Sequence, residues 1–157
     1  MALEDILHQY AKKYRLGKLE LDDEGICHLI VNDSIFLALE KSLDGQGFYH
    51  YTTIGKTSSS FEKEVGLEAL SGNLFGKETG RACLGYEPST QTLVLFEFFS
   101  GTVSFEEYDF QLKKFVKTAR YWMNKVDEVA KQPLSKVSLQ KHIQSLDNYE
   151  NMQLFFA

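Results

Sequence analysis

Residues 104–129, SFEEYDFQLKKFVKTARYWMNKVDEV, form the stretch that decides the fold. Ser104 followed three residues later by Glu107 makes a capping box, which is a common start of a helix. Apolar residues then recur at steps of four and three, so they share one face of an α-helix. These residues are Tyr108, Leu112, Phe115, Ala119, Trp122, Val126 and Val129. The spacing predicts a long amphipathic helix with this face against a core.

The residues just before this helix predict a hairpin and a second helix. Residues 81–86 and 92–99 are rich in apolar and β-branched types and flank a turn at Pro88, where proline is tolerated. Ser59 and Glu62 form another capping box. The short apolar face that follows consists of Phe61, Val65, Leu70 and Leu74 and ends near Gly76. We therefore expect a helix before the hairpin.

The N-terminal part predicts one helix and four strands. Apolar residues at helical spacing mark residues 3–14 as a helix, and strand-like runs follow at 18–21, 26–31, 35–40 and 48–54. The resulting order, α-β-β-β-β-α-β-β-α, groups strands in hairpins rather than βαβ units. This order predicts a single α+β domain over residues 1–132 with a twisted antiparallel sheet. Residues 133–157 are predicted to form a tail, with a short helix suggested by Leu139, Ile143 and Leu146.

Composition excludes several classes of function. The chain has 157 residues and 22 acidic against 17 basic side chains, so its net charge of −5 does not favour binding to phosphate backbones. The start of the chain does not have the pattern of a secretory signal, and no apolar run approaches the length of a membrane span. We therefore expect a cytoplasmic protein that binds no nucleic acid and does not insert into membranes. In that compartment Cys27 and Cys83 should be free, buried thiols.

Of three possible catalytic or metal sites, two fail on spacing. Gly55, Lys56 and Thr57 resemble the end of a phosphate-binding loop, but His50 stands where that motif needs its first glycine. The four histidines and two cysteines are not paired at the spacing of zinc ligands. A cysteine–histidine pair drawn from Cys27 or Cys83 remains an alternative, although a thiol inside an apolar strand is usually a core residue. We therefore predict a protein without catalytic residues, metal or cofactor.

Several strands are apolar on both faces, which is the unusual feature of this sequence. In residues 26–31, Cys27, Leu29 and Val31 alternate with Ile26 and Ile30. Three helices are few to cover both sides of such a sheet, and soluble monomers rarely expose large apolar patches. We predict a partner-binding groove formed by Ile26, Ile30, Phe36, Val94, Phe96 and Phe98, with Leu3 and Leu7 from the first helix. Alternatively, subunit contacts or the tail cover this face, and an error of one residue in the alternation would exchange groove and core.

Up to about Lys131, the order and spacing of these features resemble the class I type III secretion chaperones, the Tir chaperone family. The resemblance is carried by the helix at 3–14, by LELDDEGICHL at 19–29, by LSGNLF at 70–75 with Gly80 and CLGY at 83–86, by LVL at 93–95, and by ARYW at 119–122. The tail after Pro133 and the serines at 58–60 depart from the family pattern. No single motif is specific to this family, but the combination of the motifs is specific to it.

The resemblance implies a function and an assembly. It implies that the chain binds an extended segment near the N-terminus of a secreted effector, keeping it soluble and export-competent without ATP. It also implies a homodimer, or a heterodimer in some members, joined through the second helix and the following strand. The residues expected at that interface are Val65, Leu70, Leu74, Phe75, Leu84 and Tyr86. The alternative function is a regulatory binding protein that sequesters a transcription or secretion factor on the same scaffold.

Overall fold

The computed structural model describes residues 1–32, 34–57 and 62–131. This part of the chain contains three α-helices and five β-strands, with a 3-10 turn at Leu74–Gly76. In chain order the elements are α1 (Leu3–Tyr14), β1 (Ile26–Val31), β2 (Ile35–Lys41), β3 (Gly47–Lys56), α2 (Glu62–Asn73), β4 (Cys83–Glu87), β5 (Thr92–Ser100) and α3 (Phe105–Lys131). The predicted α+β class is confirmed. The predicted tail at 133–157 and the cap at Ser59 lie outside the described residues.

The five strands form one antiparallel sheet in the order β1-β2-β3-β5-β4. Helix α2 connects β3 to β4, and β4 then pairs with β5 rather than with β3. The hairpin predicted around Pro88 is therefore present, and it places β4 at one edge of the sheet. Strand β1 forms the other edge.

One predicted strand is absent. Residues 18–21 do not pair with a neighbour as a strand. Leu19 and Leu21 lie partly buried against the core, which explains their strand-like alternation. Pairing toward β1 is limited to a bond from the Asp22 amide to the carbonyl of Ile26, at 2.8 Å. The Asp22 carboxylate then accepts bonds from the amides of Glu24 and Ile26, so the chain turns at once into β1.

The core lies between one face of the sheet and the three helices, of which α2 contributes Val65 and Ala69. The predicted stripe on α3 is buried from Tyr108 to Val126, and Val129 is partly buried against the same cluster. The Ser104 hydroxyl accepts a bond from the Glu107 amide at 3.1 Å, so the predicted N-cap is confirmed. Aromatic rings from the sheet pack on the helix, with Phe48 and Phe99 lying 5.3 and 5.0 Å from the Tyr108 ring centroid.

A buried carboxylate joins α1 to α3. Asp109 accepts hydrogen bonds from the Tyr10 hydroxyl at 2.8 Å and from the ammonium groups of Lys13 and Lys113 at 2.9 and 2.7 Å. Burial by itself would raise the pKa of Asp109, but the bonds from Lys113, Lys13 and Tyr10 outweigh it and hold the pKa well below its ordinary value. This cluster fixes the orientation of α1 against α3.

Candidate functional site

The sheet has an inner face on the helices and an outer face on the opposite side. The outer face is formed by Ile26, Ile30, Phe36, Tyr49, Val94, Phe96 and Phe98, together with the smaller or polar residues between them. Phe36 is 72% exposed and Ile30 is 62% exposed, whereas Leu37, the neighbour of Phe36 on the inner face, is 1% exposed. Alternation along the strands therefore separates a buried apolar set from an exposed one.

Aromatic rings cover the middle of the outer face. Strand register places Tyr49 opposite Phe98, and the centroid of the Tyr49 ring lies 5.1 Å from that of Phe98 and 6.4 Å from that of Phe96. The Phe96 ring lies over Gly85 of β4, where an added Cβ would come within 3.2 Å of the ring. Tyr49 was not among the residues predicted for the groove, although it alternates with the inner residues Phe48 and His50 and could have been found from that period.

A carboxylate interrupts this apolar surface. Glu40 stands opposite Ile26 on β1 and Tyr49 on β3, and its carboxylate interacts with the side chain of Tyr51. Partial burial and then the Glu40 carboxylate raise the pKa of Tyr51 to about 12. The outer face thus combines exposed rings with one half-buried anionic group.

Two residues assigned to the groove from the sequence belong to the core instead. Leu3 and Leu7 are 3% and 1% exposed. Helix α1 has a single apolar stripe, which also includes Ile6 and Tyr10, and that stripe faces the inner side of the sheet. The remaining six predicted residues all lie on the outer face, where their role in partner binding stays a prediction.

A second exposed apolar surface lies on α2 and the turn after it. We call it the α2 surface and define it as Leu67, Leu70, Leu74 and Phe75, which are all at least half exposed. The three leucines are spaced by three and four residues, so they share one helical face. Phe75 adopts a left-handed backbone conformation with φ of 55°, and its side chain is 94% exposed. Leu67, three residues before Leu70, was not predicted from the sequence to lie on this surface.

Two of the residues predicted at the dimer interface are buried within the chain. Val65 and Leu84 are 3% and 7% exposed, because Val65 lies on the face of α2 opposite the α2 surface and Leu84 faces inward from β4. The Asn73 side chain holds the backbone of Leu84, donating to its carbonyl at 2.9 Å and accepting from its amide at 2.8 Å. Tyr86, further along β4, is exposed. Leu70, Leu74, Phe75 and Tyr86 remain available for the predicted interface.

The groups that suggested chemistry in the sequence lie in structural positions. Gly55 and Lys56 are the last residues of β3, so they are not in a loop that could wrap a phosphate. His50 is fully buried, with its Nδ1 3.2 Å from the Tyr108 hydroxyl and its Nε2 3.6 Å from Glu97. Burial lowers the pKa of His50 against the opposing effect of Glu97. The contact with Tyr108 joins the sheet to α3.

The two cysteines differ from each other. Both thiols are free, Cys27 is buried in the core, and burial raises its pKa. Cys83 is exposed, which corrects the prediction of two buried thiols: strand register places it opposite Phe96 on the outer face.

No group of three His, Cys, Asp or Glu residues in the described part of the chain is placed to hold a metal ion. None of its helices has the length and apolar character needed to cross a membrane.

In this small α+β domain the helices cover one face of the sheet, and the other face is exposed. The model of the Tir chaperone protein (CesT) family matches residues 5–123, and the chain belongs to this family. A protein of Chlamydia pneumoniae is 24% identical over 123 residues, which cover 78% of this chain and 94% of that protein. The family suggested by the sequence motifs is therefore confirmed.

Two solved structures have the same fold. A chain of the HopA1–SchA chaperone–effector complex aligns with a TM-score of 0.60 and 16% identity over 80% of this chain and 92% of that chain. A chain of the ExsC–ExsE complex aligns with a TM-score of 0.63 and 15% identity over 80% and 97% of the two chains.

Proposed function

We propose that this protein is a type III secretion chaperone of the bacterial cytoplasm that binds an extended segment of a secreted effector on its outer face. The observation that carries the proposal is the set of exposed apolar side chains there, with Phe36 and Ile30 more than half exposed on a sheet whose other face packs against the helices. Membership of the Tir chaperone family supports it. Such a surface in a soluble protein marks a site for a partner.

The physics of the surface suits an unfolded segment. A disordered segment gives up conformational entropy when it binds, and burying about 1,000–3,000 Å² typically offsets that loss. Apolar side chains in parallel rows across four strands offer many weak contacts rather than one deep cavity. Binding of this kind needs no turnover and no nucleotide, so we propose no enzymatic activity and no cofactor.

We also propose that two copies associate through the α2 surface and Tyr86. The α2 surface is apolar and continuous along one helix face, and symmetric dimers are the commonest assembly of soluble proteins. A dimer would give the effector two outer faces to wrap around. Association with a related chain in a heterodimer would use the same residues.

The test starts from the tagged protein expressed in its native bacterium, together with a Phe36→Ala/Phe98→Ala variant. We expect one secreted protein to co-purify with the wild type, less of it with the variant, and its export to fall in cells that carry the variant. Leu43→Ala is the matched control, because Leu43 is exposed in the turn before β3 and lies off the outer face. Recovery of a transcription component in place of a secreted protein would favour the regulatory alternative and reject this proposal.

A further inference from the structure

We propose that Glu40 makes the outer face selective for a segment with a basic side chain two residues from an apolar one, and that the basic group pairs with Glu40 beside the Tyr49 and Tyr51 rings. This inference rests on the proposed function, because it assumes that a partner segment lies on the outer face. It goes further by naming the chemistry of that segment and the residue that selects it.

Glu40 is a carboxylate set among apolar and aromatic side chains. It belongs to a row that crosses the sheet from β1 to β5 and consists of Ile26, Glu40, Tyr49 and Phe98. Glu40 is half-buried, so its carboxylate has lost part of its hydration. Among the described residues no lysine, arginine or histidine forms an ion pair with it, and the adjacent Lys41 is paired with Glu4 instead. A cation from the partner would compensate this charge.

The surroundings of Glu40 favour a cation at the same place. After burial and the Glu40 carboxylate, the charge of Asp22 is a further cause of the raised pKa of Tyr51, so two carboxylates act on this ring. Tyr49 lies on the same face of β3 and is 37% exposed, so part of its ring is accessible to a partner. Lysine and arginine groups are attracted to the faces of such rings as well as to carboxylates. Both effects favour a basic side chain over a neutral one.

A hollow beside Glu40 offers a place for an apolar side chain. Ala38 lies at its floor between His28 and Tyr51, and it is 6% exposed although it belongs to the outer face. The hollow measures about 440 Å³, and its outer-face lining is completed by Ile30, Phe36 and Thr53.

The spacing of the hollow and the carboxylate defines the segment. Ala38 and Glu40 alternate on β2, so their side chains stand about 7 Å apart on one face. An extended partner repeats its own side chains at the same distance on one face. A partner with an apolar side chain over Ala38 therefore brings the side chain two residues away to Glu40. Residues 132–157 contain the same spacing at Leu139 and Lys141, so the test includes their deletion.

The test uses the full chain and short fluorescein-labelled peptides in which leucine alternates with serine. The central leucine is replaced by arginine in one peptide and by citrulline, which has a similar shape without the charge, in the other. We expect fluorescence anisotropy to show the arginine peptide binding about fivefold more tightly than the citrulline peptide.

Variants separate selection by Glu40 from the general attraction of a negative protein for a cation. Glu40→Gln should remove most of the arginine preference. Glu106→Gln removes the same charge from the first turn of α3, away from the outer face, and should keep the preference. Glu40→Lys should bind a third peptide, with glutamate at the central position, more tightly than the arginine peptide.

Several results would overturn the proposal. Equal binding of the arginine and citrulline peptides, binding of neither, or an equal effect of Glu40→Gln and Glu106→Gln would each do so. A rise of about tenfold in the affinity for the arginine peptide on deletion of residues 132–157 would mean that the tail occupies the site. Conversion of a dimer into monomers by that peptide, measured by light scattering, would mean that a second copy does.

This proposal and the proposed function fail in different ways. Equal binding of both peptides that Phe36→Ala/Phe98→Ala abolishes would reject selection by Glu40 and leave the proposed function standing. An arginine preference that depends on Glu40, in a protein that co-purifies with no effector, would reject the proposed chaperone function alone.

Discussion

Neighbouring residues on β2 give a direct test of which sheet face is open. Leu37 is 1% exposed and Phe36 is 72% exposed, although both are large and apolar. Removing a buried leucine side chain costs about 2–5 kcal/mol, so Leu37→Ala should lower the free energy of unfolding by that amount. Full burial of a phenylalanine contributes about 1.5–3 kcal/mol, and only a little over a quarter of Phe36 is covered. Phe36→Ala should therefore cost less than about 1 kcal/mol.

Urea denaturation of both variants and of the wild type measures these values. The slope of the free energy against urea should be the same for all three proteins if only the folded state changes. Unfolding should be followed at two protein concentrations, so that any contribution from subunit association is visible. If Phe36→Ala lowers the free energy of unfolding as much as Leu37→Ala does, the assignment of the two sheet faces is refuted and Phe36 is covered.

Three further changes test other parts of the structure. A Cβ at Gly72 would overlap the ring of Trp122, so Gly72→Ala should destabilise the fold by about 1–3 kcal/mol in thermal melts. Gly66 lies in the same helix, and an added Cβ there would meet no atom within 4 Å, so Gly66→Ala should be neutral or stabilising. Equal effects of the two substitutions on stability would contradict the packing of Gly72 against Trp122. Asp109→Asn should make the free energy of unfolding fall less steeply as the pH is lowered. Its carboxyl pKa is lowered in the folded state, so the stability it contributes is complete above the unfolded pKa of about 3.9 and is lost as the pH falls below it. An equally steep acid transition in the variant would disprove this role. Leu70→Glu should change the mass measured by light scattering from that of a dimer to that of a monomer, without lowering the melting temperature of the monomer. An unchanged dimer mass would exclude the α2 surface as the dimer interface.

Local sequence pattern was enough to predict most of the elements. The capping serine and the four-and-three spacing after Ser104 predict α3 because these features depend only on neighbours within one or two turns. The strands β1, β2, β3 and β5 were located from their alternation and their flanking turns in the same way. The segment at 18–21 was misassigned because alternating burial of Leu19 and Leu21 looks the same in sequence whether or not the backbone pairs.

The candidate site needed the tertiary structure. The sequence by itself determined that both faces of several strands are apolar, and hence that one of them would lack a covering layer. Only the packed structure decided that Leu37 faces the helices and Phe36 faces water, because a period of two residues does not distinguish the two faces. The same limit applies to α1. Its one apolar stripe includes Leu3 and Leu7, and the sequence does not show which side of the sheet this stripe faces. The hydrogen bonds of Asp109 and the contacts in the core orient the helix. Long-range contacts between α1, α3 and the sheet, which no local pattern encodes, make that choice.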